Sequence, residues 1–287
     1  MDRSQIVAKI EKVNNLPTLP SIALAVNKLL KDYDSPMEDL VALLEKDQSM
    51  VMKILRLVNS SFFGFKSKVK SVGHAVTLLG YNTVQNAVVT VSVIEALTLK
   101  NKIDSFEIDD FWRHSISVAA MSKYISIHTK LCSPEDAFTS GLLHDIGKII
   151  WANFFPDELV LILQGIEKNS ATFHDTEKAL NLPTHSVLGS VLAKRWMLPT
   201  TMVESIKYHH SGKNGMADGH LTDVVRMSDK ILHIMEGDDG HCLDLESFEP
   251  EVKEPAMKFF QNNPEWFKAI SSEMTKACEF LNQEQQS

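Results

Sequence analysis

LLHDIGK, residues 142–148, is the stretch on which the fold turns. His144 and Asp145 sit side by side in an apolar setting that reads as the middle of a helix over 134–152. Adjacent residues on a helix point about 100° apart. An imidazole there can ligate one metal ion while the carboxylate beside it bridges to a second. Lys148 falls one helical turn after His144, on the same expected face. It is placed to stabilise a phosphoryl oxyanion or to relay a proton. Snorkelling from the helix to solvent is the plainer reading of the same lysine.

Working outward, further ligand types recur in apolar helical contexts. His114 lies in FWRHSISVAA (111–120), and His185 in LPTHSVLGS (182–190), near a helix start after Pro183. His209 and His210 form a second adjacent pair in SIKYHHSG (205–212), at a helix end. Asp229 sits in VVRMSDKIL (224–232) on an amphipathic helix. These imidazoles and two carboxylates suit a pair of divalent transition metals such as iron, manganese, nickel or zinc. A carboxylate shared at short metal–metal distance is the usual arrangement of two-metal hydrolysis. The competing reading is a relic pocket of hydrogen-bonded polar residues. Burying such a cluster without metal is costly, which weighs against it. His74, His128, His174, His220, His233 and His241 show no partner pattern and read as surface or packing residues. Asp110 reads as a helix N-cap and Arg113 as one member of a surface ion pair.

The rest of the chain reads as helix nearly throughout. Apolar residues recur at helical spacing in 3–13, and LPTLP (16–20) then breaks the chain into an extended link. Ser21 and Ser35 read as caps of the next two helices, and a further helix spans about 48–59. Residues 71–80 and 82–100 follow, the second rich in β-branched residues but long enough to be a buried helix. Helices are then expected at about 110–130, 134–152, 157–169, 172–179, 184–195, 199–209 and 220–236. The tail 251–283 reads as amphipathic helix broken at Asn263-Pro264. Met50 and Met52 read as core filler. Phe62, Phe63 and Phe65 read as a core-capping turn, with a docking patch as the alternative. The organisation expected is an N-terminal helical lobe (1–108), a bundle carrying the metal site (109–236) and C-terminal loop and helices (237–287).

Composition narrows the function classes. Net charge is −8 and no long basic run occurs, so a broad nucleic-acid face is not expected. The three cysteines are odd in number, far apart and form no CxxC, which points to a reducing, cytoplasmic compartment. No stretch of about 18 uncharged apolar residues occurs, so no membrane span is expected. Apolar residues make up 44% of the 287-residue chain, enough for a sizeable core.

The order His, His-Asp, His, His-His, Asp resembles the HD superfamily of metal-dependent phosphohydrolases, and most closely the HD-GYP arrangement. LPTLPSIALAVNKLL (16–30), EKDQSMVMKILRLVNSSFFG (45–64) and VKSVGHAVTLLG (69–80) resemble the HDOD family, the HD-related output domain of bacterial signalling proteins. The resemblance runs from about residue 13 to about 235. It implies an all-α fold: an HD-like helical bundle with an additional N-terminal helical lobe. It also implies a metal pair bridged by Asp145, with His114, His144 and Asp229 on one ion and His185, His209 and His210 on the other. Lys148 matches the lysine that follows the HD pair, and Asp110 falls where some relatives place a third-metal carboxylate. The chain departs from HD-GYP after His210, where SGKNGMADGH carries neither the glutamate nor the GYP motif. The residues associated with reading cyclic di-GMP are thus missing. The function implied is a regulatory signalling module with a dinuclear metal site; the alternative is a phosphohydrolase acting on a nucleotide or other phosphoester. The partner implied is a signalling protein or a small phosphorylated ligand, and residues 236–287 have no counterpart in the resemblance.

Overall fold

Prolines and short polar side chains set where the helices begin. A computed structural model of the chain describes residues 3–12, 16–29, 36–59, 68–99, 103–211, 219–237 and 248–285. The first half contains α1 (Arg3–Lys12), α2 (Ser21–Leu29), α3 (Met37–Leu44), α4 (Gln48–Val58), α5 (Val72–Leu79) and α6 (Tyr81–Ala96). Next come α7 (Ile108–Thr129), α8 (Pro134–Leu143), α9 (Gly147–Phe154), α10 (Pro156–Asn169) and α11 (Phe173–Ala179). The last are α12 (His185–Arg195), α13 (Thr200–Tyr208), α14 (Gly219–Met235), α15 (Pro250–Asn262) and α16 (Trp266–Gln285). Among the described residues the only extended pairing is an isolated bridge between Ile103 and Phe106. The protein is all-α, as the periodicity implied.

Side-chain caps on Asp47, Ser71, Ser133, Thr172 and Thr184 each accept from a backbone N–H in the first turn that follows. Pro134 and Pro156 occupy the first turns of α8 and α10, where a missing N–H costs nothing. Lys130 and Ser170 stop α7 and α10 in left-handed conformations. The β-branched run in α6 is helical because burial decides it: most of that helix, from Thr83 to Val93, is in the core.

Several expectations are corrected. The helix expected over 134–152 is two helices, α8 and α9, separated by a turn at 144–146. Hydrogen bonds there run between residues three apart: Ile146 N to Leu143 O, Lys148 N to Asp145 O and Ile149 N to Ile146 O. That tightening re-aims the chain at the histidine–aspartate pair. Asp110 lies inside the first turn of α7, whose N-cap is Glu107, and pairs with Arg113 on the surface at 2.8 Å. Ser21 begins α2 rather than preceding it. Met50 is core, but Met52 is 62% exposed, because it lies on the opposite face of α4. Ser35, Phe62, Phe63, Phe65 and His241 lie outside the described residues.

One apolar cluster runs from Ile6 to Ala277 and draws on helices from both halves of the chain. Two polar ties fix the N-terminal link and α2 to it. Trp196 Nε1 donates to Pro17 O at 2.9 Å, and buried Asn27 Nδ2 donates to Trp196 O at 3.0 Å. A second cluster joins α7 and α14 to α15 and α16, through residues such as Met121, Met227, Val252, Phe259 and Ile270. The C-terminal helices break at Asn263-Pro264, as expected, and pack against α7.

Helix α7 is the spine of the site. It packs on α8, α14 and α16. Gly141 makes the α7–α8 approach possible: a Cβ there would lie 2.8 Å from the Ala119 α-carbon. This close crossing sets the distance between His114 and His144.

Candidate metal centre

Five elements deliver the side chains that the spacing singled out. His114 comes from α7, and His144 and Asp145 from the turn between α8 and α9. His185 is the first residue of α12, His209 and His210 follow α13, and Asp229 lies in α14. All seven converge. His144, Asp145, His185, His209 and Asp229 are each at most 3% exposed, while His114 and His210 are half-buried at the rim. The donor atoms form two groups, within each of which they lie no more than 4.8 Å apart: Asp145, His185, His209 and His210; and His114, His144 and Asp229.

Asp145 stands between the groups. Its Oδ1 lies 3.0 Å from His185 Nε2 and 3.8 Å from His209 Nε2. Its Oδ2 lies 3.4 Å from His144 Nε2 and 3.8 Å from His114 Nε2. Asp229 Oδ1 is 3.2 Å from His114 Nε2 and 3.5 Å from His144 Nε2.

The imidazoles are oriented from behind. Nδ1–H of His144 donates to Gly141 O at 2.7 Å, and that of His209 donates to Ile206 O at 2.8 Å. Nδ1–H of His185 donates to Glu177 Oε2 at 2.8 Å. With Nδ1 committed, Nε2 of each ring faces inward. His144 Nε2 is buried there without a hydrogen-bond partner, its two carboxylate neighbours being poorly aligned. A buried nitrogen among carboxylates and convergent imidazoles belongs to a group that could hold a metal ion.

The electrostatics agree. Burial alone would raise the pKa of Asp145 and of Asp229. The charges of His144, Lys148 and His185 hold Asp145 far below its usual range, and neighbouring His114, His144 and His233 do the same for Asp229. Burial would lower the pKa of His144 and His185, but the carboxylates outweigh it and lift them to about 10 and about 9. Burial, with neighbouring imidazoles, pushes His209 and His210 well down. The cluster therefore gathers positive charge wherever a carboxylate faces it, the arrangement a cation would take over.

Lys148 does not snorkel. It pairs with Asp145 Oδ2 and lies 5.1 Å over the Phe173 ring. Burial works against its charge, yet Asp145 keeps its pKa above the ordinary value. Its charge is held against Asp145. It lines a cleft of about 200 Å³ together with Asp145, Phe173, His174, His210 and His233.

Three residues of the site escaped the sequence reading. His174 and His233, taken there as surface or packing residues, line the cleft. His174 packs on His210 with ring centroids 4.4 Å apart, and His233 on His114 at 4.9 Å. His233 Nε2 also lies 3.4 Å from Asp229 Oδ1, four residues earlier on the same helix, a spacing that was readable. Glu177 is fully buried behind His185. It sits on a different helix, so no local spacing announced it.

The comparisons with known proteins fit this architecture. A solved structure of an HDOD domain protein from Geobacter sulfurreducens superposes with a TM-score of 0.76 at 23% identity, covering 96% of both chains. A candidate phosphohydrolase from Shewanella amazonensis gives 0.74 at 21% identity over 98% of both chains. A candidate signal transduction protein from Marinobacter aquaeolei gives 0.72 at 20% identity, covering 97% of this chain and 65% of that one. At these identities the likeness is one of fold. A curated but uncharacterized protein of Treponema pallidum is 24% identical over 229 residues, and the match takes in 79% of this chain but only 44% of that protein's length. The sequence profile of the HDOD domain matches residues 16–212, well over half of the chain, and by that match the chain belongs to the HDOD family.

Proposed function

We propose that this chain is a regulatory module of bacterial signalling whose bundle would hold two divalent transition-metal ions on the two ligand sets that Asp145 faces. One observation carries the reading: the two oxygens of Asp145 face different histidine sets, Oδ1 toward His185 and His209, Oδ2 toward His114 and His144. His210 completes the first set and Asp229 the second. The name of the Marinobacter neighbour supports a signalling role. On this reading residues 1–108 and the C-terminal helices relay the state of the site to a partner protein in the cytoplasm.

A second reading, a phosphohydrolase acting on a small phosphoester, is favoured by the cleft that opens beside the cluster and by the name of the Shewanella neighbour. When bound, a metal pair supplies Lewis-acid charge to a phosphoryl oxygen. The chain's own residues contribute the rest. Lys148 presents a fixed positive charge, Phe173 and Ile166 wall off water, and His174 and His233 offer imidazoles at the rim. A cleft of about 200 Å³ is large enough for a phosphoryl group and its nearest atoms.

The test is metal content per chain, on protein purified anaerobically without added metal, beside Asp145→Ala. About two ions in the wild type, lost in the variant, is the expected result. No bound metal, and none taken up on titration, sinks both readings. A panel of phosphomonoesters and phosphodiesters offered to the loaded protein and to Lys148→Met then decides between them.

A further inference from the structure

Behind the ligand cluster lies a carboxylate that neither reading uses. Glu177 is fully buried, on α11, and a buried charge is tolerated only where donors surround it. Three do. Glu177 Oε1 accepts from Trp151 Nε1 at 2.6 Å and from the His185 backbone N–H at 2.6 Å. Oε2 accepts from His185 Nδ1 at 2.8 Å. His144 and His209 are held in the same way, but by neutral backbone carbonyls. Among these three deep histidines, only His185 has an anion behind it.

A carboxylate at this position can only accept, so the proton of His185 must sit on Nδ1. Nε2 is thereby presented to the centre, 3.0 Å from Asp145 Oδ1, 3.0 Å from His210 Nε2 and 3.4 Å from His209 Nε2. A negative partner on Nδ1–H also makes the ring a stronger donor than a carbonyl does. We infer that Glu177 is a positioning residue of the metal centre: its hydrogen bond to His185 fixes Nε2 as the ligating nitrogen and tightens the ion on the Asp145 Oδ1 side, leaving the ion on the His114 side unaffected. The inference rests on the two-metal reading proposed above.

The nearly isosteric Glu177→Gln variant separates positioning from mere support. The amide oxygen keeps the two donors on Trp151 Nε1 and the His185 backbone. The amide NH2 is then turned toward His185 Nδ1, which must accept, moving the ring proton to Nε2. Zinc titration by calorimetry, alongside thermal melts of the metal-free protein, reads both roles. We expect two binding steps in the wild type. In the variant one step should keep its affinity and the other should weaken about 10–100-fold, the usual effect of removing such a partner. Trp151→Phe removes one donor to Glu177 without touching Nδ1, and should lower the melting temperature while leaving both zinc steps in place. Unchanged zinc affinities in Glu177→Gln overturn the inference alone. Equal weakening of both steps in step with lost stability also overturns it, in favour of a structural staple. A wild type that takes up no zinc overturns the two-metal reading and this inference with it. Should Glu177→Gln not fold, nitrogen-15 spectra of the zinc-loaded wild type decide. A proton on His185 Nδ1 with zinc on Nε2 upholds the inference, and the reverse overturns it.

Discussion

Gly147 and His185 are in backbone contact: a Cβ added to Gly147 would lie 1.8 Å from the His185 carbonyl oxygen and 2.9 Å from Gly189 N. The glycine of HDIGK therefore serves a residue 38 positions away in the chain. It lets the first turn of α9 press against the first turn of α12, which brings Asp145 and His185 to 3.0 Å. No rotamer change can relieve the overlap, because the obstacle is main chain.

Gly147→Ala is accordingly expected to destabilise the fold by about 2–3 kcal/mol or more, as overpacking against a fixed neighbour does. It should also weaken metal on the His185 side. Urea denaturation and metal analysis read the two effects. A variant of wild-type stability with full metal content would show that α9 and α12 are free to separate.

Single-ligand variants are expected to divide the centre. His114→Ala should lose the ion shared with His144 and Asp229, and His210→Ala the one shared with His185 and His209, each leaving about one ion per chain. Asp145→Asn should lose or weaken both, since each of its oxygens serves one group. Elemental analysis of the three proteins checks this. Loss of both ions in either histidine variant would mean that the two positions do not fill independently.

Asn59 closes the end of α4 on the segment before α5. Its Nδ2 donates to Leu55 O and Val69 O, both at 2.8 Å, and its Oδ1 accepts from Val69 N at 2.7 Å. Replacing it with Ala removes three hydrogen bonds, so a loss of about 1–3 kcal/mol is expected. Metal content should not change, because the site lies in other helices. Denaturation midpoints and metal analysis together test the separation.

Lys123 on α7 gives a stability signature in pH. It is 9% exposed, and burial lowers its pKa from 10.5 to about 8, against the opposing pull of Glu135 and Glu273. Below pH 8 the folded protein carries the whole penalty of the buried charge. Between about 8 and 10.5 the unfolded chain binds the extra proton, so this contribution makes stability rise with pH. Lys123→Met should be more stable than wild type at neutral pH by roughly 3 kcal/mol, one pKa unit being worth about 1.4 kcal/mol. The gap should close as pH approaches 10.5. A gap that stays constant across that window would show that the charge is not what destabilises.

The sequence by itself determined the helical class, most helix positions and all seven ligand candidates. Helical periodicity is local, and capping residues such as Ser133 and Thr184 mark starts within a turn. The candidates were legible because charged and imidazole side chains are costly in apolar helices unless something binds them. Local pattern failed where long-range packing overrides it. LLHDIGK reads as one helix, yet the contact of Gly147 with His185 goes with a turn there, and no residue between 142 and 148 reveals that distant partner. Met52 and Met50 look alike in sequence, but only the docking of α4 decides which one is buried. Glu177 and His174 joined the site only in three dimensions, whereas the spacing of His233 four residues after Asp229 was readable and was missed. Glu177 and His174 reach it from α11, whose approach to α12 depends on how the intervening chain turns between 180 and 184. Spacing along one helix can be read from sequence, whereas proximity between two helices belongs to the tertiary fold.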